Sequence, residues 1–346
     1  MNSNSLAKKI RIESLKMVNR ISGSHIGSAL SMTDILAVLY SDILKVDPSN
    51  PDLETRDRLI LSKGHACSSL YACLALKGFF SIEDLKTYGK DSSDLMNHVS
   101  HKVSGVEFST GSLGHGLPFG LGKANSLKVK KNISQVYIIM GDGELSEGSN
   151  FEAMLFAAHH NLDNLNLIID YNNLQSLTTV SETLNILPIK DKFIAFGWEY
   201  YECNGHNHSD LKLTFNKSHN SRNGKPKIIV ANTIKGKGVS YMENKVEWHY
   251  KSPDETLLRK AINEIETMTP NLFGTRKGSS TRAGVALAKL HNSGQIFDFR
   301  FELFDMIDDY LKILSTKNAE LPEGYHDVVK AAEPVKESLE ANPTTL

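Results

Sequence analysis

The densest set of groups able to do chemistry lies in residues 141–173, GDGELSEGSNFEAMLFAAHHNLDNLNLIIDYNN. Asp142 stands between Gly141 and Gly143, where the glycines give the chain freedom to turn and leave the backbone N–H groups uncovered for a docked anion. Further on, Asn172 offers an amide oxygen and Leu174 a main-chain carbonyl. These are hard oxygen donors of the kind that Mg²⁺, or Ca²⁺, takes while also holding a diphosphate. The spacing has a geometric reason. An apolar run at 136–140 precedes the glycines and a second at 165–169 precedes Asp170-Tyr171-Asn172-Asn173, giving strand, tight turn, helix, strand. Two neighbouring parallel strands ending at one sheet edge bring Asp142 and Asn172 to the crevice where open α/β sheets bind ligands. Taken singly, GDG is a common turn and Asn-Asn a common loop start. Their order carries the signal.

Histidines recur at similar places. His25 sits among small residues at a helix entry, with Ser31 or Thr33 as candidate caps for the helix that follows. His65 closes Ser62-Lys63-Gly64 at a strand-to-helix turn, and His249 ends a Gly- and Lys-bearing loop that starts near Thr233. A lone histidine in such a position is more often structural, and lysines on a loop are more often solvated than facing phosphate. Glycines at 105, 111, 114, 116, 120 and 122 are too dense for an ordinary helix, so a loop that passes close to a ligand before entering a helix is expected there. That stretch does not follow a strong strand in a βαβ unit, which excludes the dinucleotide reading.

The elements that must position these groups are legible as alternation. An amphipathic helix covers 5–20, short apolar runs at 59–61, 136–140, 165–169, 198–203 and 227–230 read as strands, and helical segments lie between them. Such alternation predicts an α/β fold whose mostly parallel sheet has helices on both faces. With 346 residues, 40% of them hydrophobic, the chain can bury a sizeable core. A net charge of −1 leaves no basic surplus for nucleic acid or an anionic membrane. Three cysteines, Cys67, Cys73 and Cys203, have no zinc-ligand spacing and read as reduced thiols. No secretory leader and no run of transmembrane length is seen, so a cytoplasmic protein is expected.

In family order the chain carries SHIGSALS, SKGHACSSLY, GVEFSTGSLGHGLP, GDGELSEG, DYNNLQS and KGKGVSYMEN followed by WH. Over about residues 5–265 it resembles transketolase, in its thiamine diphosphate (pyrophosphate-binding) N-terminal part, and in length looks like the N-terminal subunit of a two-chain transketolase. The resemblance implies a thiamine diphosphate-binding domain over 1–265 and a helical extension of unknown role over 266–346. It implies Asp142, Asn172 and the Leu174 carbonyl as metal ligands for Mg²⁺. Gly111, Ser112 and Leu113 are implied beside the aminopyrimidine ring, and Gly141, Gly143 and Glu144 at the diphosphate turn. His65 and His249 match histidines around the cofactor, and His25 a substrate-side histidine. Either His98 or His101 is the next one; counting back from the glycine motif favours His98, and Val99 stands where the family has proline. Glu147 matches a buried glutamate linking two active sites across a dimer.

The activity so implied is transfer of a two-carbon ketol unit from a ketose phosphate to an aldose, as in pentose phosphate metabolism. The family's activating glutamate lies on a pyrimidine-binding domain that this sequence lacks, so an α2β2 heterotetramer with a C-terminal partner subunit is expected. Three rivals stand beside this reading. They are a transketolase of specialised metabolism with an unusual donor or acceptor, a thiamine enzyme for 2-oxo acids or deoxyxylulose phosphate, and a non-catalytic protein that keeps the fold.

Overall fold

The structure, a computed structural model, describes residues 1–267; the helical extension expected over 266–346 lies outside them from residue 268 on. Five strands form one sheet: β1 (Arg58–Leu61), β2 (Val136–Gly141), β3 (Leu165–Tyr171), β4 (Glu199–Asn204) and β5 (Lys227–Asn232). Their spatial order is β1-β2-β3-β5-β4 and every pairing is parallel. The central strands, rich in aliphatic residues, are buried along nearly their whole length because both faces of the sheet are covered.

Side-chain alternation assigns each face its own core. Tyr137, Ile139, Ile168 and Ile229 join one cluster, whereas Val136, Ile138, Met140, Leu165, Leu167 and Ile169 join the other. The first face receives α1 (Ser3–Arg20), α2 (Ile26–Ser31), α3 (Thr33–Val38) and α4 (Cys67–Lys77). The second receives α5 (Gly116–Val129), α6 (Gly148–His159), α7 (Val180–Thr183) and α8 (Ile189–Ala195). Then α9 (His208–Asn220) and α10 (Glu255–Thr267) return to the first, through Leu211, Phe215, Leu258, Ala261 and Ile265. Side-chain caps set the starts of α1, α7 and α9, with Thr179 accepting from the Glu182 N–H at 3.2 Å for α7. Asn2 accepts from the Ser5 N–H at 2.8 Å, and Asn207 from those of Ser209 and Asp210.

Three local expectations change. Neither Ser31 nor Thr33 caps a helix; the chain breaks at Met32 between α2 and α3, and the Ser31 and Thr33 hydroxyls bond back to the carbonyls of Ser28 and Ala29. The glycine-dense stretch is a loop only up to residue 115, since Gly116, Gly120 and Gly122 lie inside α5. Packing explains this: a Cβ at Gly120 would come within 2.4 Å of Ile138, so glycine lets α5 lie directly on the sheet. Gly141 and Gly143 do not use the left-handed backbone region. What Gly143 supplies is closeness, because a Cβ there would meet the Gln175 side chain at 2.9 Å.

Candidate active site

The register of β2 and β3 pairs Gly141 with Asp170, so the residues that follow each strand emerge side by side at one sheet edge. Asp142 is buried, its two carboxylate oxygens accepting the N–H groups of Gly143 (2.8 Å) and Asn173 (2.6 Å). Burial, and then the nearby Asp170 carboxylate, push its pKa up to about 6. A carboxylate held in this state gains from a cation beside it. Asn172 is also buried, its amide oxygen accepting from the Leu174 N–H at 3.1 Å, with lone-pair capacity left over. Among the described residues no three His, Cys, Asp or Glu side chains gather as a metal cluster. The implied ligand set does not need one, being one carboxylate, one amide oxygen and one main-chain carbonyl.

Two lysines complete this edge. Lys63, fully buried, pairs with Asp170 at 2.5 Å and donates to the Ser28 carbonyl at 3.1 Å. Burial alone would raise the Asp170 pKa, but Lys63 and the hydroxyls of Ser31 and Thr233 draw it below the usual range. Lys235 is 1% exposed, and its ammonium donates to the carbonyls of Leu174 (3.2 Å) and Gln175 (2.7 Å) and lies 3.2 Å from Nδ1 of His249. Burial, and then Lys63, bring its pKa down to about 8. Positive charge is thus stored where a diphosphate would arrive.

The histidines converge on the same edge. Ring centroids of His25 lie 5.1 Å from His65, 5.7 Å from His98 and 4.9 Å from His249, with His65 and His249 5.7 Å apart. His98 is therefore the ring in the group, while His101 is exposed and bonded to Ser109 at 2.7 Å. His25 caps α2 in the left-handed conformation, φ 71°, and its N–H donates to the His249 carbonyl at 2.7 Å. Burial lowers the pKa of all four. For His25 it reaches about 4, helped by His98, Lys235 and Lys63, and for His249 about 3, helped by Lys235 and His25. His65 is driven well below its ordinary value by burial and then Lys63, and His98 is lowered by burial. At neutral pH these are uncharged rings, each able to accept at one nitrogen and donate at the other.

The glycine loop closes over them. A Cβ at Gly111 would lie 3.1 Å from the His98 ring, and one at Gly64 would strike the Thr110 carbonyl, so loop and turn touch through bare backbone. Val99, in the family's proline position, donates its N–H to the Gly64 carbonyl at 3.1 Å, a tie that proline has no hydrogen to make. Tyr71 brackets the same point, donating to the His98 carbonyl (2.9 Å) and accepting from the Ser100 N–H (3.0 Å). The carbonyls of Ser112 and Leu113 face the Nδ1 of His115 at 3.2 and 3.1 Å. Glu144 turns inward, accepting from Ser62 (2.5 Å) and the Gly114 N–H (2.9 Å), with burial raising its pKa despite those bonds. It pins loop to turn. Glu147, expected to be buried, is exposed among the described residues.

Sequence reasoning missed the Lys63–Asp170 pair and the part of Ser31. Asp170 reads as the polar end of a strand and Lys63 as one letter of a turn, and 107 positions separate them. It passed over Lys235 as one of several loop lysines.

Comparison with known proteins follows the same geometry. Residues 2–265 match the family model described as transketolase, thiamine diphosphate binding domain. The chain is 40% identical over 272 residues to one of the subunits of the apulose-4-phosphate transketolase of Phocaeicola vulgatus, covering 79% of this chain and 96% of that protein. It is 38% identical over 261 residues to a 6-deoxy-6-sulfo-D-fructose transketolase subunit of a Clostridium species, covering 75% and 94%. The crystal structure of transketolase from Campylobacter jejuni superposes with a TM-score of 0.73 at 33% identity, over 85% of this chain and 48% of that one. The chain thus spans nearly all of the subunit relatives and about half of the solved transketolase chain.

Proposed function

The chain belongs to the transketolase family, in its thiamine diphosphate-binding part, and from that premise we propose that it holds thiamine diphosphate through Mg²⁺ and works with a separate C-terminal subunit. The observation that carries the reading is the convergence at one sheet edge of Asp142, Asn172 and the Leu174 carbonyl with Lys235 and four histidine rings.

The donor set fits the group. Asp142, Asn172 and the Leu174 carbonyl would hold the metal, with Ca²⁺ as a substitute, and Gly143, packed against Gln175, would contact the diphosphate through its backbone. Lys235, already on the Leu174 carbonyl, would share that oxygen and face the phosphates, and Gly111, Ser112 and Leu113 would lie along the pyrimidine ring. When bound, thiamine diphosphate supplies the carbon centre that takes up and hands on the two-carbon unit. The chain's own part is binding and proton handling. Neutral His25 and His98 would meet sugar hydroxyls, and His65 and His249 would hold protons nearer the cofactor. Desolvation keeps these rings uncharged, so they can both accept and donate.

Residues 1–265 would form the thiamine diphosphate unit. The pyrimidine-binding domain would come from the partner, giving an α2β2 assembly in which a second copy covers Glu147 and the adjoining face of α6. Free, buried thiols at Cys67, Cys73 and Cys203 suit a cytoplasmic setting, and no helix among the described residues is long and apolar enough to cross a membrane. The donor and acceptor would be sugar phosphates. A second reading, transfer from an unusual donor, is favoured by the two relatives named for apulose-4-phosphate and 6-deoxy-6-sulfo-D-fructose. A ketol-transfer assay of the two-subunit complex against a panel of donors separates the readings. Turnover confined to pentose phosphate substrates removes the second, and no turnover with any ketose removes both.

A further inference from the structure

Beside the loop that carries Lys235 lies a buried polar cluster that the activity has not used. Asp34 accepts both Arg11 terminal nitrogens (3.0 and 2.6 Å), Nδ1 of His206 at 2.7 Å and Nε2 of His208 at 3.1 Å. The opposite nitrogen of His206, Nε2, faces the main-chain N–H of Ile234 at 2.8 Å. A backbone N–H can only donate, so Nε2 must carry the lone pair and the ring proton must sit on Nδ1, aimed at Asp34. Arg11 reaches the same loop from the other side, its Nε donating to the Lys237 carbonyl at 3.1 Å.

The loop gripped in this way is the one that delivers Lys235. Besides the Asn244 N–H on the Lys235 carbonyl (2.9 Å) and the Thr233 N–H on the Tyr171 carbonyl (3.0 Å), four ties from distant elements hold it: Thr233 to Asp170, Ile234 to His206, Gly236 N–H to the Gly27 carbonyl at 2.9 Å, and Lys237 to Arg11. Between the ties at Ile234 and Gly236 the Lys235 side chain enters the site and meets Leu174, Gln175 and His249. Gly27 lies two residues after His25, so the grip bears on that turn as well. We propose that His206, oriented by Asp34 and Arg11, is a positioning residue that sets the 233–237 loop and so fixes Lys235 for cofactor binding. The inference rests on the thiamine diphosphate reading of the site. Arg11 and Asp34 lie far from Lys235 in the chain, and the cluster supplies rigidity that glycines at 236 and 238, both with positive φ, do not.

The test uses two substitutions that divide the imidazole's work. In His206→Asn the side-chain NH₂ takes the place of Nδ1 and keeps the Asp34 bond, but no acceptor remains for Ile234. In His206→Gln the longer side chain brings its carbonyl oxygen to the place of Nε2 and keeps the Ile234 bond. Each variant, once assembled with the partner chain, is titrated calorimetrically with thiamine diphosphate and Mg²⁺, alongside hydrogen exchange over 233–238. His206→Asn should weaken cofactor binding about ten-fold and speed exchange at Ile234, and His206→Gln should stay within about three-fold of the parent. Equal affinities in parent and both variants would overturn the proposal, as would equal losses in both. Should the variants not fold, ¹⁵N spectra of the unsubstituted complex decide: the Nδ1–H tautomer at His206 upholds the clamp and the Nε2–H tautomer refutes it. A parent complex that takes up no thiamine diphosphate would fail the cofactor reading instead, with the tautomer still reporting on the clamp.

Discussion

The carboxyl ends of β2 and β3 and the outer face of α6 lie close in sequence and are built in opposite ways. At the strand ends, Asp142, Asp170, Asn172, Lys63 and Lys235 are all buried and every charged group has a partner. On α6, Phe151, Leu155 and Phe156 stand 41, 60 and 40% exposed, Glu147 leads into them uncovered, and an apolar cavity of about 220 Å³ opens beside Phe151 and Met154. Buried charge is costly unless it is paired, and it is retained where a site needs its field preset. Exposed aromatic and aliphatic surface is costly in the other sense, since it is left for a neighbour to cover. The contrast teaches that, among the described residues, the charges at the strand ends are satisfied from within the fold while the α6 face keeps apolar surface uncovered.

That contrast can be broken from its closed side first. Asp142→Ala removes the charged ligand and should cost about two orders of magnitude in Mg²⁺-dependent thiamine diphosphate affinity of the assembled complex, with the far-ultraviolet circular dichroism unchanged. Undiminished affinity would show that the metal lies elsewhere. On the open side, Leu155→Glu should raise the dissociation constant of the assembly about ten-fold in sedimentation velocity, and leave the melting of the isolated chain where it was. If the isolated chain melts earlier and assembly is unaffected, the α6 face is part of this chain's own packing.

A pH series sharpens the closed region. His25 and His249 have folded-state pKa values lowered to about 4 and about 3, so the unfolded chain takes up protons first, near 6.5. Stability is then full above pH 6.5 and declines as pH falls toward 4, before either folded ring charges. A His25→Ala, His249→Ala double variant should show a shallower decline in urea midpoint between pH 7 and pH 4. An unchanged slope would mean that other groups govern it. The smallest effect is expected at Val99→Pro, which removes the N–H donated to Gly64 and should cost about 1 kcal/mol in chemical denaturation, with faster exchange at Ser100.

These two regions also differ in how far they could be read from the amino-acid sequence. The strands and the neighbouring placement of Asp142 and Asn172 were legible because a two-sided parallel sheet demands aliphatic runs, and each run ends in a turn of distinctive composition. The separation of α2 from α3 was not, because Ser31 bonds Asp170 across 139 positions and a cap motif looks the same whether or not its hydroxyl is drawn away. Nor were the helical glycines of α5, whose reason is a contact with Ile138 on another element. The histidines were legible as a set only through their family order; geometry then selected His98 over His101. The Asp34–His206–Ile234 chain left no local trace at all, being assembled from three separate elements.

The most direct test of the account is one calorimetric experiment, titration of thiamine diphosphate with Mg²⁺ into this chain mixed with its partner subunit. Saturable binding of one cofactor per chain that vanishes when Mg²⁺ is chelated is the predicted result. Binding that survives chelation, or no binding at all, would contradict the assignment of Asp142, Asn172 and Leu174 as the ligands of a diphosphate-bound metal.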